Sequence, residues 1–214
     1  MSRTIVIVSA GMGNPSTTRL LADRITDAVR ARISARGEGV QVTHVELRHL
    51  LTDLATTMAT GMASPRLEEA FGALRAADGV AVVTPVFTAS YSGVFKLFFD
   101  VMDKDLLEGK PVLLAATAGT ARHSLVIDHA MRPLFAYLRA DIVPTGVFAA
   151  TDDFAGAEEL SARIYRAADE LVVRAVAERG SVGGFTATEA DLRSGGLREP
   201  AGFAALLKGR TGTR

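Results

Sequence analysis

Two rhythms of apolar and polar positions alternate along this chain. Five short runs, at residues 4–9, 40–47, 79–84, 111–117 and 142–149, are apolar with little interruption, as suits parallel strands buried on both faces. Between and after them, apolar residues recur every three or four positions over 16–35, 65–76, 92–104, 124–139 and 156–179, which predicts helices. Strand–helix alternation of this kind predicts an α/β three-layer sandwich, a parallel five-stranded sheet with helices on both faces. The doubly wound order 2-1-3-4-5 fits five such units, with the ligand crevice at the carboxyl ends of strands 1 and 3. Residues 52–64, with threonine, glycine and weak periodicity, read as a long loop on that ligand side. From Gly180 onward only Phe185 and the patch 203–207 offer apolar anchors. The expected organisation is therefore one domain over 1–180 and a peripheral tail over 181–214.

The third apolar run ends at Thr84-Pro85, because proline cannot donate to a sheet ladder and biases its predecessor to an extended form. A small-residue loop with Phe87 and Tyr91 follows, and Ser90 or Ser92 caps a helix carrying Phe95, Phe98, Phe99 and Met102 on one stripe. Val94, Leu97 and Val101 form a second stripe, so this helix needs more cover than one sheet face gives. A subunit interface is one source of that cover; the 52–64 segment is the other. In the stretch 124–139, Pro133 removes an amide and crowds the carbonyl of His129, predicting a kink or π-type turn between those two residues. Its surplus of Leu125, Met131, Leu134, Phe135 and Leu138 predicts a dimer–dimer contact near His129, hence a homotetramer. A helix curved over its own core is the competing reading.

Charge narrows the function. Lys+Arg and Asp+Glu number 24 each, for a formal net charge of zero, which argues against nucleic-acid binding and against an acidic electron carrier. No cysteine is present, so disulfide, thiolate and zinc–cysteine chemistry are excluded. No signal-peptide pattern opens the chain, and no apolar run approaches the roughly 20 residues of a membrane helix. A cytoplasmic protein is expected.

The candidate chemistry sits where strands end. After the first strand come Gly11, Met12, Gly13, Asn14, Pro15, Ser16, Thr17 and Thr18. Free amides and hydroxyls at a helix start make an anion site. A Walker A loop fails for want of lysine; the dinucleotide fingerprint fails because Ser16 replaces its third glycine and Glu46 comes too late. The loop suits a phosphate monoester such as that of FMN, with an ordinary capped helix as the competing reading. After the fourth strand, Thr117, Ala118, Gly119 and Thr120 lead to Arg122 and His123, which read first as solvated surface and only second as contacts to a nucleotide phosphate or, for His123, a bound ring. His44, Glu46, His49 and Asp53 do not converge by spacing, so no metal site is expected. No nucleophile elbow or zincin motif appears.

Three segments carry a family resemblance: 15–18, 84–93 with Lys96, and 116–120 continuing through His123 to Arg132-Pro133. Over residues 5–150 the chain resembles the NAD(P)H-dependent FMN reductases, and among them the reductase components of two-component sulfonate monooxygenases. The resemblance implies a flavodoxin-like dimer or tetramer using NADPH and FMN. The first loop (Gly11, Met12, Asn14, Ser16, Thr17 and Thr18) would then hold the FMN phosphate. Pro85, Val86, Phe87, Thr88 and Ser90 would line the isoalloxazine on one side, and Thr117, Ala118 and Gly119 on the other. The chain departs from the family at Gly11 and Gly13, where serine and arginine are frequent, and at Ala118, where glycine is. The implied activity is hydride transfer from NADPH to FMN for a partner flavin-dependent monooxygenase. A flavin-bound quinone or azo reductase and a non-enzymatic electron carrier are the alternatives.

Overall fold

The computed structural model describes residues 2–177, so the expectations for the tail after Gly180 lie outside the described residues. The elements in chain order are β1 (Ser2–Ser9), α1 (Thr17–Ser34), β2 (Gly39–Glu46), α2 (Leu51–Thr60), α3 (Pro65–Ala76), β3 (Gly79–Phe87), β4 (Ser90–Tyr91) and α4 (Gly93–Val101). There follow β5 (Pro111–Ala118), a π turn (Ile127–Met131) running into α5 (Arg132–Tyr137), β6 (Asp141–Ile142), β7 (Val147–Ala150) and α6 (Ala157–Val176). The parallel sheet runs β2-β1-β3-β5-β6, with β7 also on β5. With β6 and β7 as two halves of one strand, this is the flavodoxin-like order the alternation predicts. One face packs α1 and α6 through Leu21, Ile25, Ile33 and Leu171; the other packs Leu54, Phe71, Phe95, Phe98 and Phe135. No helix among the described residues is long and apolar enough to cross a membrane.

Three expectations need correction. Residues 52–64 are mostly not a loop: α2 occupies Leu51–Thr60, burying Leu54 and Thr57, and closes on Gly61 at φ 75°. The i, i+3 pair and the glycine one residue past the helix were the signals available. This helix packs against α4, and Val94, Leu97 and Val101 are half-buried within the chain. Secondly, β3 does not stop at Thr84-Pro85 but continues to Phe87, with Pro85 beside Thr117 of β5. Pairing of β3 with β1 ends at Val83, so beyond it that flank of β3 has no parallel neighbour among the described residues, and a residue without an N–H is tolerated. Thirdly, the last strand is split at Pro144. Arg132 donates to the carbonyls of Val143 (3.3 Å) and Pro144 (2.5 Å), while Thr145 donates from N and Oγ1 to Glu170 (both 2.7 Å). The stretch read as one helix over 124–139 is likewise irregular: the π turn at Ile127–Met131 falls where Pro133 removes its amide.

Candidate functional site

The carboxyl ends of β1, β3 and β5 are adjacent, and they bring the three hydroxyl-rich loops together. Ala10 N donates to the Val83 carbonyl at 2.9 Å, fixing the first loop onto β3. Thr18 Oγ1 and Thr117 Oγ1 share a buried hydrogen bond of 2.8 Å, tying the first loop to the third across 99 positions of sequence. Sequence reading placed both threonines at a ligand, but each is only 2% exposed. One hydroxyl of the pair spends its proton on the other, so their first role is to hold two loops at a fixed spacing. Ser16 and Thr17 stand closer to solvent.

Ser16 caps α1, its Oγ accepting from Arg19 N at 3.2 Å. Gly11 leaves room for this cap: a Cβ there would lie 2.2 Å from Ser16 Oγ and 3.0 Å from Thr18 Cβ, so the Ser16 side chain would have to turn away. The first turn of α1 holds no acidic residue, unlike those of α2, α3 and α6. The positive end of an 18-residue helix therefore faces the loop without a carboxylate of its own, ready for an external anion.

The middle loop is a hairpin. Val86 pairs with Tyr91 and Phe87 with Ser90, leaving Thr88 and Ala89 at its tip with φ of 49° and 67°. Two consecutive positive φ values match the right-handed twist of the flanking strands, yet neither residue is glycine, and strain of this kind gathers at functional sites. Ala89→Gly is expected to stabilise the fold by about 0.5–1 kcal/mol, the relief at φ > 0 exceeding the entropy glycine adds to the unfolded chain. Urea unfolding at neutral pH measures this; an unchanged or lower midpoint contradicts it. Of the two candidate caps, Ser92 is the one used: its Oγ accepts from Phe95 N (3.3 Å), and its own N donates to Thr84 Oγ1 (3.1 Å). Pro85 is buried, Val86 and Ser90 half-buried and Thr88 exposed. Phe87 is 51% exposed beside the loop tip, whereas Tyr91 packs 5.7 Å from the Phe95 ring. In the third loop Ala118 is half-buried and Gly119 exposed, with no described residue within 4 Å of where a Gly119 Cβ would stand. Met12, Asn14, Phe87, Thr88 and Gly119 thus form an open rim above a buried, hydroxyl-bonded floor. This donor set fits FMN: amides, hydroxyls and a helix start for a phosphate, and a small-residue edge for a planar ring.

Sequence reading missed a charged group at the rim. Glu46 lies between two guanidiniums, pairing with Arg19 and with Arg48 (3.1 Å); Arg48 also reaches the Gly13 carbonyl at 3.5 Å. Arg19 is further held by Asp23 at 2.8 Å, and these carboxylates raise its pKa. The signal was a cation three residues after the helix cap and another just past the second strand. Of the four residues weighed for a metal, Asp53 pairs with Arg66, His44 bonds Thr26 on α1, and His49 Nε2 lies 3.9 Å from Glu46 Oε2.

His44 has its own consequence. Thr26 Oγ1 donates to the Ala22 carbonyl (2.8 Å), so the His44 Nε2–H donates to Thr26 Oγ1 (3.1 Å) and Nδ1 is the bare nitrogen. Nδ1 is buried with no hydrogen-bond partner among the described residues. Burial, then the nearby Arg19, hold the imidazole below its usual range. Above about pH 6.5 the ring is neutral in folded and unfolded chains alike. As pH falls below that value the unfolded chain takes the proton first, and stability declines until the lowered folded value is passed. Between about pH 7.5 and about pH 5.5, His44→Gln should therefore lose less stability in urea than the wild type. Equal losses would contradict the assignment.

Comparison with known proteins bears on this site. The sequence pattern described as NADPH-dependent FMN reductase matches residues 3–155. The chain is 38% identical over 150 residues to the NADH-dependent FMN reductase SfnF of Pseudomonas putida, covering 70% of this chain and 78% of that protein. It is 37% identical over 171 residues to an FMN reductase (NADPH) of Pseudomonas aeruginosa, covering 77% and 88%. Among solved structures, an oxidoreductase from Corynebacterium diphtheriae superposes with a TM-score of 0.80 at 55% identity, covering 82% of this chain and 97% of that one.

Proposed function

The chain belongs to the NADPH-dependent FMN reductase family, and from that premise we propose that it reduces FMN across the three loops and releases it to a partner flavin-dependent monooxygenase. The observation that carries the placement is the Thr18–Thr117 bond, which fixes loops one and three beside the strained hairpin. Ser16, Thr17 and the free amides of α1 would hold the phosphate. Pro85, Val86, Phe87, Thr88 and Ser90 would border the ring on one side, and Thr117, Ala118 and Gly119 on the other, with Gly11, Met12 and Asn14 closing the first loop. Bound there, FMN supplies the hydride acceptor. The chain would supply position and charge: backbone amides of the hairpin and third loop would stabilise negative charge developing on the ring, and Phe87, exposed beside the hairpin tip, would flank the nucleotide.

Release of the product is favoured by the open rim, where Met12 is 41% and Phe87 51% exposed. NADPH oxidation followed with free FMN, with a quinone, and with neither tests the reading. Stimulation by FMN supports it; stimulation by quinone alone moves the assignment to a flavin-bound quinone reductase. No oxidation under any condition leaves an electron carrier.

Assembly is part of the proposal. A groove of about 660 Å³ between α4 and the π turn is lined by Tyr91, Lys96, His129, Pro133 and Tyr137, and Tyr137 is 74% exposed. We read this face as the contact that makes a homotetramer. His129→Ala should shift tetramers toward dimers and change flavin exchange without unfolding the chain. Sedimentation showing the wild type only ever as a dimer contradicts it.

A further inference from the structure

Beside the third loop lies a cleft that the flavin placement does not use. It opens at Ser124 and runs along the split edge strand at Thr145 and Phe148, with α6 on one side and the π turn and α5 on the other; its volume is about 640 Å³. Three arginines line it. Arg132 is fully engaged, by Asp128 at 2.7 Å and by two backbone carbonyls. Arg163 and Arg166 are different: both are exposed, neither has a hydrogen-bond or ion-pair partner among the described residues, and both line this cleft from α6. At i and i+3 they share one face of the helix. Glu159 lines the same wall, and the adjoining cleft, which shares Ser124, Phe148, Glu159 and Arg163, adds Asp152, Asp153 and Glu158; none of these four acids has an ion-pair partner among the described residues. Phe148 gives the cleft a half-buried aromatic surface next to these cations. Two free guanidiniums beside an aromatic match a phosphorylated nucleoside, the charges taking the phosphate and the ring the base.

We propose that this cleft holds the 2′-phosphoadenosine end of NADPH, so that Arg163 and Arg166 set preference for NADPH over NADH. The inference rests on the reductase reading, since Ser124 puts the cleft mouth at the end of the loop that would border the ring. Its test does not depend on that reading, because the probe contains no nicotinamide. Isothermal titration of 2′,5′-ADP into the intact wild-type protein should give saturable binding, weakened about tenfold or more in Arg163→Gln/Arg166→Gln. Glu159→Gln should strengthen it. In steady state the double variant should raise KM for NADPH by a similar factor, leave KM for NADH nearly unchanged, and leave FMN affinity as it was. Equal titrations in wild type and double variant overturn the proposal, as does an equal rise in both KM values. A change of oligomeric state in the double variant would also overturn it, marking the cleft as a contact between copies. Should NADPH oxidation be absent altogether, the reductase reading fails while the 2′,5′-ADP titration still decides the cleft.

Discussion

Replacing Phe95 by alanine is expected to cost the fold about 3–5 kcal/mol. Phe95 is fully buried, and its ring meets Phe99 edge-on at 4.9 Å, Tyr91 at 5.7 Å and Phe135 at 6.1 Å. Those partners come from β4, α4 and α5, so one side chain joins the hairpin, its helix and the helix after the π turn. Phe99 and Phe135 also meet each other at 4.9 Å, which keeps the walls of the resulting void from collapsing inward and puts the loss at the high end. Val94, on the half-buried stripe of the same helix, removes less when cut to alanine, about 1 kcal/mol by the methyl groups lost. Urea unfolding of both variants measures the contrast. Equal, small losses would mean that α4 is not anchored through its phenylalanines.

Gly11→Ala should cost FMN affinity about 10- to 100-fold, since hydrogen bonds to a charged group contribute roughly 1.5–3 kcal/mol. The added methyl would sit 2.2 Å from Ser16 Oγ and 3.0 Å from Thr18 Cβ. Ser16 must rotate away or α1 must shift, and either takes the hydroxyl and the first amides off the phosphate. The rotation also breaks the cap on Arg19 N, which should lower global stability by about 1 kcal/mol. The two losses are separable, because fluorescence titration reads the first and unfolding the second. Unchanged FMN affinity with a lowered unfolding midpoint would mean that the loop is only a helix start and the flavin lies elsewhere. Ser16→Ala should lower affinity in the same direction by less, since the amides stay in place.

How much of this could be read from the chain follows from which contacts are local. Strand order, both helical faces and the cap at Ser92 were legible because they depend on periodicity and on neighbours within a few residues. The π turn was legible for the same reason, as Pro133 acts on a carbonyl one turn away. Helix α2 was missed because its threonines weaken the apolar rhythm, and only packing against α4 completes its buried face. The run of β3 through Pro85 was missed because it depends on where β1 ends, a property of another strand. At the site, the three loops do end side by side, and what spacing could not show is that Thr18 bonds Thr117, 99 positions away. The Glu46 bridge between Arg19 and Arg48 was invisible for a similar reason: spacing shows only that Glu46 closes a strand, not that α1 brings a guanidinium to it.

The central claim is that FMN is turned over at the junction of the three loops. Anaerobic NADPH oxidation with FMN as the varied substrate, followed by ultrafiltration of the mixture, tests it most directly. The account predicts a rate that saturates with FMN, reduced FMN in the filtrate, and a Gly11→Ala variant whose half-saturating FMN concentration rises with its weakened binding. A rate independent of added FMN, or reduced flavin kept entirely with the protein, would contradict it.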